Sequence, residues 1–231
     1  MKDIKFIFFD LDRTLWDFEK NSVVTFSDIF EKYNLSEIFP DFDTFIEKYK
    51  YHNENLWAKY RLGEIKKDEL RNKRFLLTLE EFGVSDEELA IKMGDDYINI
   101  SPTKTELFPY TIEVLEYLHK KYTLAIITNG FKEVQYTKLK NCNLEKYFKK
   151  VVCSEDVGRQ KPHPEIFHYS LSSLNARKQE SLMIGDDYDV DILGANSFGF
   201  KSVFFNPNKN EVKILPNIQE ISSLKQLLDI L

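Results

Sequence analysis

The sequence predicts an α/β chain: a doubly wound parallel sheet with an all-helical module inserted after the first strand. Short apolar runs recur at Ile4–Phe9, Leu124–Ile127 and Leu182–Ile184, the pattern of parallel strands buried on both faces. Amphipathic stretches separate the later runs, so strand and helix alternate from about residue 108 onward. Residues 16–105 break that alternation, with no convincing strand and only Gly63 and Gly83 as glycines before position 90.

The first strand is the apolar run that ends on Asp10. In the inserted module, Val23, Phe26, Phe30 and Tyr33, then Phe42, Phe45 and Tyr49, recur at helical spacing. Ser85-Asp86-Glu87-Glu88 predicts a helix start, with Ser85 and Glu88 satisfying each other's free amides. Leu89, Met93 and Tyr97 continue that helix. Beyond the module, Thr111–Lys121 is predicted helical, with Ile112, Leu115 and Leu118 on one face. Pro164–Leu174 follows the same logic through Phe167, Leu171 and Leu174, and Val190–Ser197 forms a further helix. Val151–Cys153 and Ser202–Phe205 complete the strands.

Composition excludes several classes. With 231 residues, 42% hydrophobic and 14% aromatic, the chain can bury a core without disulfides or a structural metal. A net charge of −6 argues against a nucleic-acid binder working through a basic surface. That surplus falls within residues 16–105, so the rest of the chain is balanced despite its aspartate clusters. No segment approaches the ~18 apolar residues of a membrane span. The N-terminal apolar run is too short for a secretory signal, and Cys142 and Cys153 lack metal or redox spacing, so a reduced cytoplasmic protein is expected.

Four clusters follow predicted strands, where ligands of open α/β sheets bind. Asp10 and Asp12 either cap a turn or supply a nucleophile and a proton carrier. Thr128-Asn129-Gly130 is either a plain strand exit or a phosphate-holding turn. Lys161 sits in Gly158-Arg159-Gln160-Lys161-Pro162-His163-Pro164, where the prolines stiffen the segment and favour a positioned cation; His163 reads as a cap or surface residue. Gly185-Asp186-Asp187-Tyr188-Asp189-Val190-Asp191 crowds four carboxylates after a buried strand, which implies a compensating hard cation such as Mg²⁺.

Taken in this order, the segments DLDRT, TNG, KP and GDDYDVD, with the neighbouring GRQKPHPEIF and DILGA, resemble the haloacid dehalogenase superfamily, specifically its Mg²⁺-dependent phosphatases. The resemblance covers nearly the whole chain. It implies a Rossmann-like core over residues 1–15 and 106–231 and a type-1 helical cap over 16–105. It also implies a phosphomonoesterase working through an aspartyl-phosphate. Asp10 would be the nucleophile and Asp12 the acid and base. Mg²⁺ would be held by Asp10, the backbone carbonyl of Asp12 and Asp186. Asp191 would orient Lys161 or a metal-bound water. Asp187 would lie just outside the metal's ligands, and Asp189 would be an N-cap. Thr128, Asn129 and Gly130 would bind the phosphoryl oxygens while Lys161 balances their charge. The family often has Gly where this chain has Arg13, which is expected to point away from the metal with the turn kept. Asp12 and the acidic fourth motif favour phosphate transfer over carbon–halogen cleavage.

The DLDRTLWDF start and the LWAKYRLGEI segment of the inserted module resemble a nucleotidase subgroup that often acts on pyrimidines. Trp57 and Arg61 are candidate substrate contacts: Trp57, like Tyr60, could stack on a base and Arg61 could pair with an anion; the alternative is that Trp57 and Tyr60 pack on a helix face and Arg61 is solvated. Trp16 and Phe18 are candidate substrate walls. A phosphomutase or phosphotransferase, or a sugar-phosphate phosphatase, fits the same residues. The expected partner is a small phosphorylated metabolite, not nucleic acid or membrane, and the sequence leaves the oligomeric state open.

Overall fold

Ile7, Phe8 and Phe9 are all fully buried, and their side chains alternate between two separate cores. Ile7 and Phe9 join one cluster and Phe8 the other, as a strand covered on both faces requires. Leu124 and Ile126 against Ala125 and Ile127, and Leu182 and Ile184 against Met183, divide the same way. The computed structural model describes residues 3–231; Met1 and Lys2, the first residues of the N-terminal segment read above, lie outside the described residues.

These segments are β1 (Phe6–Phe9), β2 (Thr123–Thr128) and β4 (Ser181–Gly185), joined by β3 (Lys150–Cys153), β5 (Lys201–Phe205) and β6 (Gln219–Ile221). They form a 6-stranded sheet in the order β3-β2-β1-β4-β5-β6. Every neighbouring pair is parallel.

The chain divides into two units, Met1–Phe18 with Thr105–Leu231, and Glu19–Lys104. The second unit is helical: α1 (Phe18–Lys32, whose first residue falls in the sheet unit), α2 (Phe42–Arg61), α3 (Lys67–Glu80) and α4 (Glu87–Ile100). Its core is aromatic. The Phe26 ring lies 4.4 Å from Tyr49 and 5.1 Å from Tyr97, with Phe45 edge-on at 5.8 Å. Phe26→Ala removes the hub of this cluster and is expected to cost about 3–5 kcal/mol. Urea unfolding of the full chain checks this.

Three readings of this unit and its borders are corrected. Val23 is exposed, because α1 buries Phe26 and Ile29 on another side. Asp86 rather than Ser85 caps α4: its carboxylate accepts from the Leu89 amide at 2.9 Å, a placement the positive helix end favours. Trp16 is no substrate wall. It is fully buried in the sheet unit and bridges through its backbone to Asp12 and Leu107, so the units part beyond it.

In the sheet unit, α5 (Thr111–Leu118) and α6 (Lys132–Asn141) cover one face through Val114, Leu115, Leu118 and Leu139. After the single turn α7 (Ser154–Val157), α8 (Pro164–Leu174) and α9 (Gly194–Phe198) cover the other through Ile166, Phe167 and Ala195. Ile112 is exposed, since α5 buries Thr111, Val114, Leu115 and Leu118 instead. Among the described residues no helix is long and apolar enough to cross a membrane. Cys142 and Cys153 are free and buried, and burial pushes their thiols up to about 11 and about 12.

Candidate active site

The sheet order reverses direction between β1 and β4, which opens a crevice beyond their C-terminal ends. Asp10 leaves β1 at that crevice, its amide still paired to the Ile184 carbonyl at 2.9 Å. The buried Leu11 then anchors a tight loop, its carbonyl accepting from the Leu15 and Trp16 amides at 3.0 and 2.9 Å. Arg13 occupies the left-handed backbone region at φ 65°, where a glycine would be unstrained. The turn closes all the same, and the guanidinium lies 4.1 Å over the Phe18 ring.

β4 delivers the acidic run. Gly185 is required there, because a Cβ would overlap the Asp191 carboxylate. Asp186 follows and accepts from the Thr14 hydroxyl at 3.0 Å. The N-cap of the next segment is Asp187, not Asp189: its carboxylate accepts from the Asp189 and Val190 amides at 3.2 and 3.0 Å. From Tyr188 to Leu193 the chain winds as a wide π-turn before α9, which returns Asp191 to the crevice, buried.

Lys161 joins the two sides. It is 2% exposed, and its Nζ lies 2.6 Å from Asp10 Oδ1, 2.6 Å from Asp191 Oδ1 and 2.8 Å from the Ile127 carbonyl. Its backbone is held as firmly. Asn129 Oδ1 accepts from the Lys161 amide at 2.8 Å, and Asn129 Nδ2 donates to the Lys161 carbonyl at 3.0 Å. His163 caps α8, its ring nitrogen accepting from the Glu165 amide at 3.3 Å.

Asp10, Asp186 and Asp191 bring carboxylate oxygens within 4.8 Å of one another. Burial raises all three from the ordinary aspartate value, against the pull of Lys161 on Asp10 and Asp191. Mutual repulsion adds to the rise in Asp10 and Asp186. Burial alone would lower Lys161, but Asp10 and Asp191 raise it overall, so it stays a cation. Arg13, expected to turn away, still draws on Asp186 through its charge, yet three carboxylates against one buried ammonium leave an excess of negative charge. Hard oxygen donors with that excess suit a small divalent cation.

Thr128 is buried at the end of β2, and its Oγ1 accepts from the Gly130 amide at 3.1 Å. The hydroxyl proton remains available to donate. Asp12 lies apart from the three-carboxylate cluster. Its Oδ1 is 2.5 Å from Lys138 Nζ, and its Oδ2 accepts from Gln135 Nε2 at 2.9 Å. Neither α6 residue is marked by motif in the sequence; the available signal was their i, i+3 spacing on a helix that begins just after Thr128-Asn129-Gly130. Trp57 and Arg61 belong to the helical unit, on α2. Trp57 is half-buried with its ring 5.7 Å from Tyr60, and Arg61 is exposed.

A parallel sheet with an acidic crevice at its strand ends, and a helical unit spliced between β1 and β2, defines a Rossmann-like α/β enzyme core with an inserted helical unit. The chain belongs to the haloacid dehalogenase-like hydrolases, whose family model matches residues 7–205, and stands with that superfamily's phosphatases. It is 30% identical to the HAD-hydrolase YfnB of Bacillus subtilis over 100% of this chain and 97% of that one. A crystal structure of YfnB bound to magnesium superposes with a TM-score of 0.90 at 29% identity, covering 99% of each chain. The pyrimidine 5′-nucleotidase YjjG of Escherichia coli is 31% identical over 96% of both chains. A glyceraldehyde 3-phosphate phosphatase of Pyrococcus furiosus is 31% identical over 100% of this chain and 94% of its own.

Proposed function

We propose that the protein is a Mg²⁺-dependent phosphomonoester hydrolase that works through an aspartyl-phosphate on Asp10, with a pyrimidine nucleoside 5′-monophosphate as the preferred small-metabolite substrate. The observation that carries this reading is the buried set Asp10, Asp186 and Asp191 around Lys161, with Asp12 held two residues from Asp10. Asp10, Asp186 and the Asp12 carbonyl would hold Mg²⁺, with Asp191 beside them. When bound, the ion offsets phosphate charge that the carboxylates would otherwise repel.

The chain's own residues divide the work. The Asp10 carboxylate attacks phosphorus, the bond from phosphorus to the ester oxygen breaks, and Asp12 gives that oxygen its proton. Asp12 then takes a proton from water as the water oxygen attacks phosphorus. The bond to Asp10 breaks and inorganic phosphate leaves. Splitting one hard displacement into two lowers each barrier. Lys161, the Thr128 hydroxyl and the Asn129 amide hold the phosphoryl oxygens and meet their charge, while the Gly130 amide, read from the sequence as a further donor, is spent on Thr128 Oγ1. Trp57 and Arg61 act in substrate choice, by stacking on a base and pairing with an anion.

The nucleotidase reading is supported by the YjjG relative, and a sugar-phosphate reading by the Pyrococcus one. Buried free thiols suit a cytoplasmic enzyme. The test is phosphate release from a panel of nucleotides and sugar phosphates, with Mg²⁺ and with a chelator. Pyrimidine monophosphates are expected to give the highest kcat/KM, and chelation to abolish release. A dominant sugar phosphate with inert nucleotides would reassign the substrate; full activity in chelator would remove the metal.

A further inference from the structure

Lys138 is 3% exposed, a rare place for a lysine. Its ammonium has left water, which costs several kcal/mol unless partners compensate. Those partners are the Asp12 carboxylate, 2.5 Å from Nζ, and the face of Trp16, with the ring centre at 4.0 Å. Trp16 is itself locked in the core and joined by its backbone to Asp12. One turn earlier on α6, buried Gln135 donates to the other Asp12 oxygen at 2.9 Å. The Gln135 amide oxygen is buried without a hydrogen-bond partner, an arrangement that costs stability. Fold stability alone does not account for a buried cation and an unmet acceptor gathered on one half-exposed carboxylate.

We propose that Lys138, with Gln135, is a positioning residue that fixes the plane of the Asp12 carboxylate for proton transfer to and from the ester oxygen. This inference rests on the role given to Asp12 above. The geometry provides a specific reason for a grip. Asp12 is outside the three-carboxylate cluster but feels the negative charge of Asp10, and free rotation would turn its oxygens away from that charge. One bond from α6 to each oxygen sets the orientation, and each oxygen keeps a further lone pair for the substrate side. Proton transfer depends steeply on such placement. Nothing in the sequence motifs assigns α6 this role.

The test compares phenyl phosphate with 4-nitrophenyl phosphate, two esters of similar shape. Phenolate needs a proton to leave, whereas nitrophenolate departs without one. Loss of a well-placed acid therefore lowers the ratio of their kcat/KM values. Asp12→Asn sets the scale. Lys138→Met is expected to lower that ratio at least about tenfold, and Lys138→Arg to recover most of it. Gln135→Leu, which frees one oxygen only, is expected to shift the ratio in the same direction, and it carries the test if Lys138→Met unfolds. An equal loss on both esters, or no change in ratio, in variants that melt like the parent would overturn the positioning role while Asp12→Asn still lowers the ratio. If Asp12→Asn itself leaves the ratio unchanged, the acid assignment falls, and the role of Lys138 falls with it.

Discussion

Asp10→Asn is expected to yield a folded protein that has lost phosphate release by at least about 10⁴-fold, the scale on which a missing nucleophile is felt. The substitution is nearly isosteric, and the amide oxygen still accepts from Lys161 where the carboxylate did at 2.6 Å. It also removes one of three mutually repelling charges, so the variant should melt no lower than the parent. What it removes is the anionic oxygen able to form a bond to phosphorus. Two measurements separate chemistry from fold. Acid quenching during turnover, followed by intact mass, should find a phosphoryl group on the parent and none on the variant. Metal-dependent activity that survives the change would deny Asp10 the nucleophile's role.

Lys161→Met has the second large effect, and it reaches stability as well as rate. The methionine fills much of the lysine stem but leaves Asp10 and Asp191 facing each other without the ammonium that lies 2.6 Å from both. Removing one member of a buried ionic set typically costs about 3–5 kcal/mol, because the remaining charge is stranded. A shift of that size is read from the urea midpoint in chelator. The rate should fall at least about 10²-fold, the loss seen when one electrostatic contact to a transition state is deleted. Pairing the change with Asp191→Asn should return much of the stability and none of the activity, since contacting residues are not additive. Recovery of both would make Lys161 a structural residue.

The sheet was legible because its strands are apolar runs that end in unusual polar clusters. β6 escaped that reading: Gln219–Ile221 is a short edge strand with two exposed residues and no apolar run. Helical faces were legible to within a residue, which is how Val23 and Ile112 came to be placed inside. In an acidic run several residues can cap, and only the turn of the backbone selects Asp86 over Ser85 and Asp187 over Asp189. The crevice residues could be named from strand ends and motifs. Their connections could not. Lys138 and Gln135 look in sequence like the polar side of a helix, and their burial depends on the Asp10-to-Trp16 loop packing over α6. Asn129 was read as a phosphate contact through its amide, while its side chain is committed to the Lys161 backbone.

That commitment bears on how the protein ages. Asn129 precedes Gly130, the pairing most prone to spontaneous deamidation, in which the glycine amide nitrogen attacks the asparagine side chain. Here that nitrogen is turned onto Thr128 Oγ1 at 3.1 Å, and both ends of the Asn129 amide are engaged by Lys161. Closing the succinimide ring requires the Gly130 nitrogen to leave Thr128 and the Asn129 side chain to leave Lys161. The resulting aspartate would set a negative oxygen against the Lys161 carbonyl and loosen the segment that carries the ammonium. The same contacts that aim Lys161 therefore act as a chemical preservative for the loop.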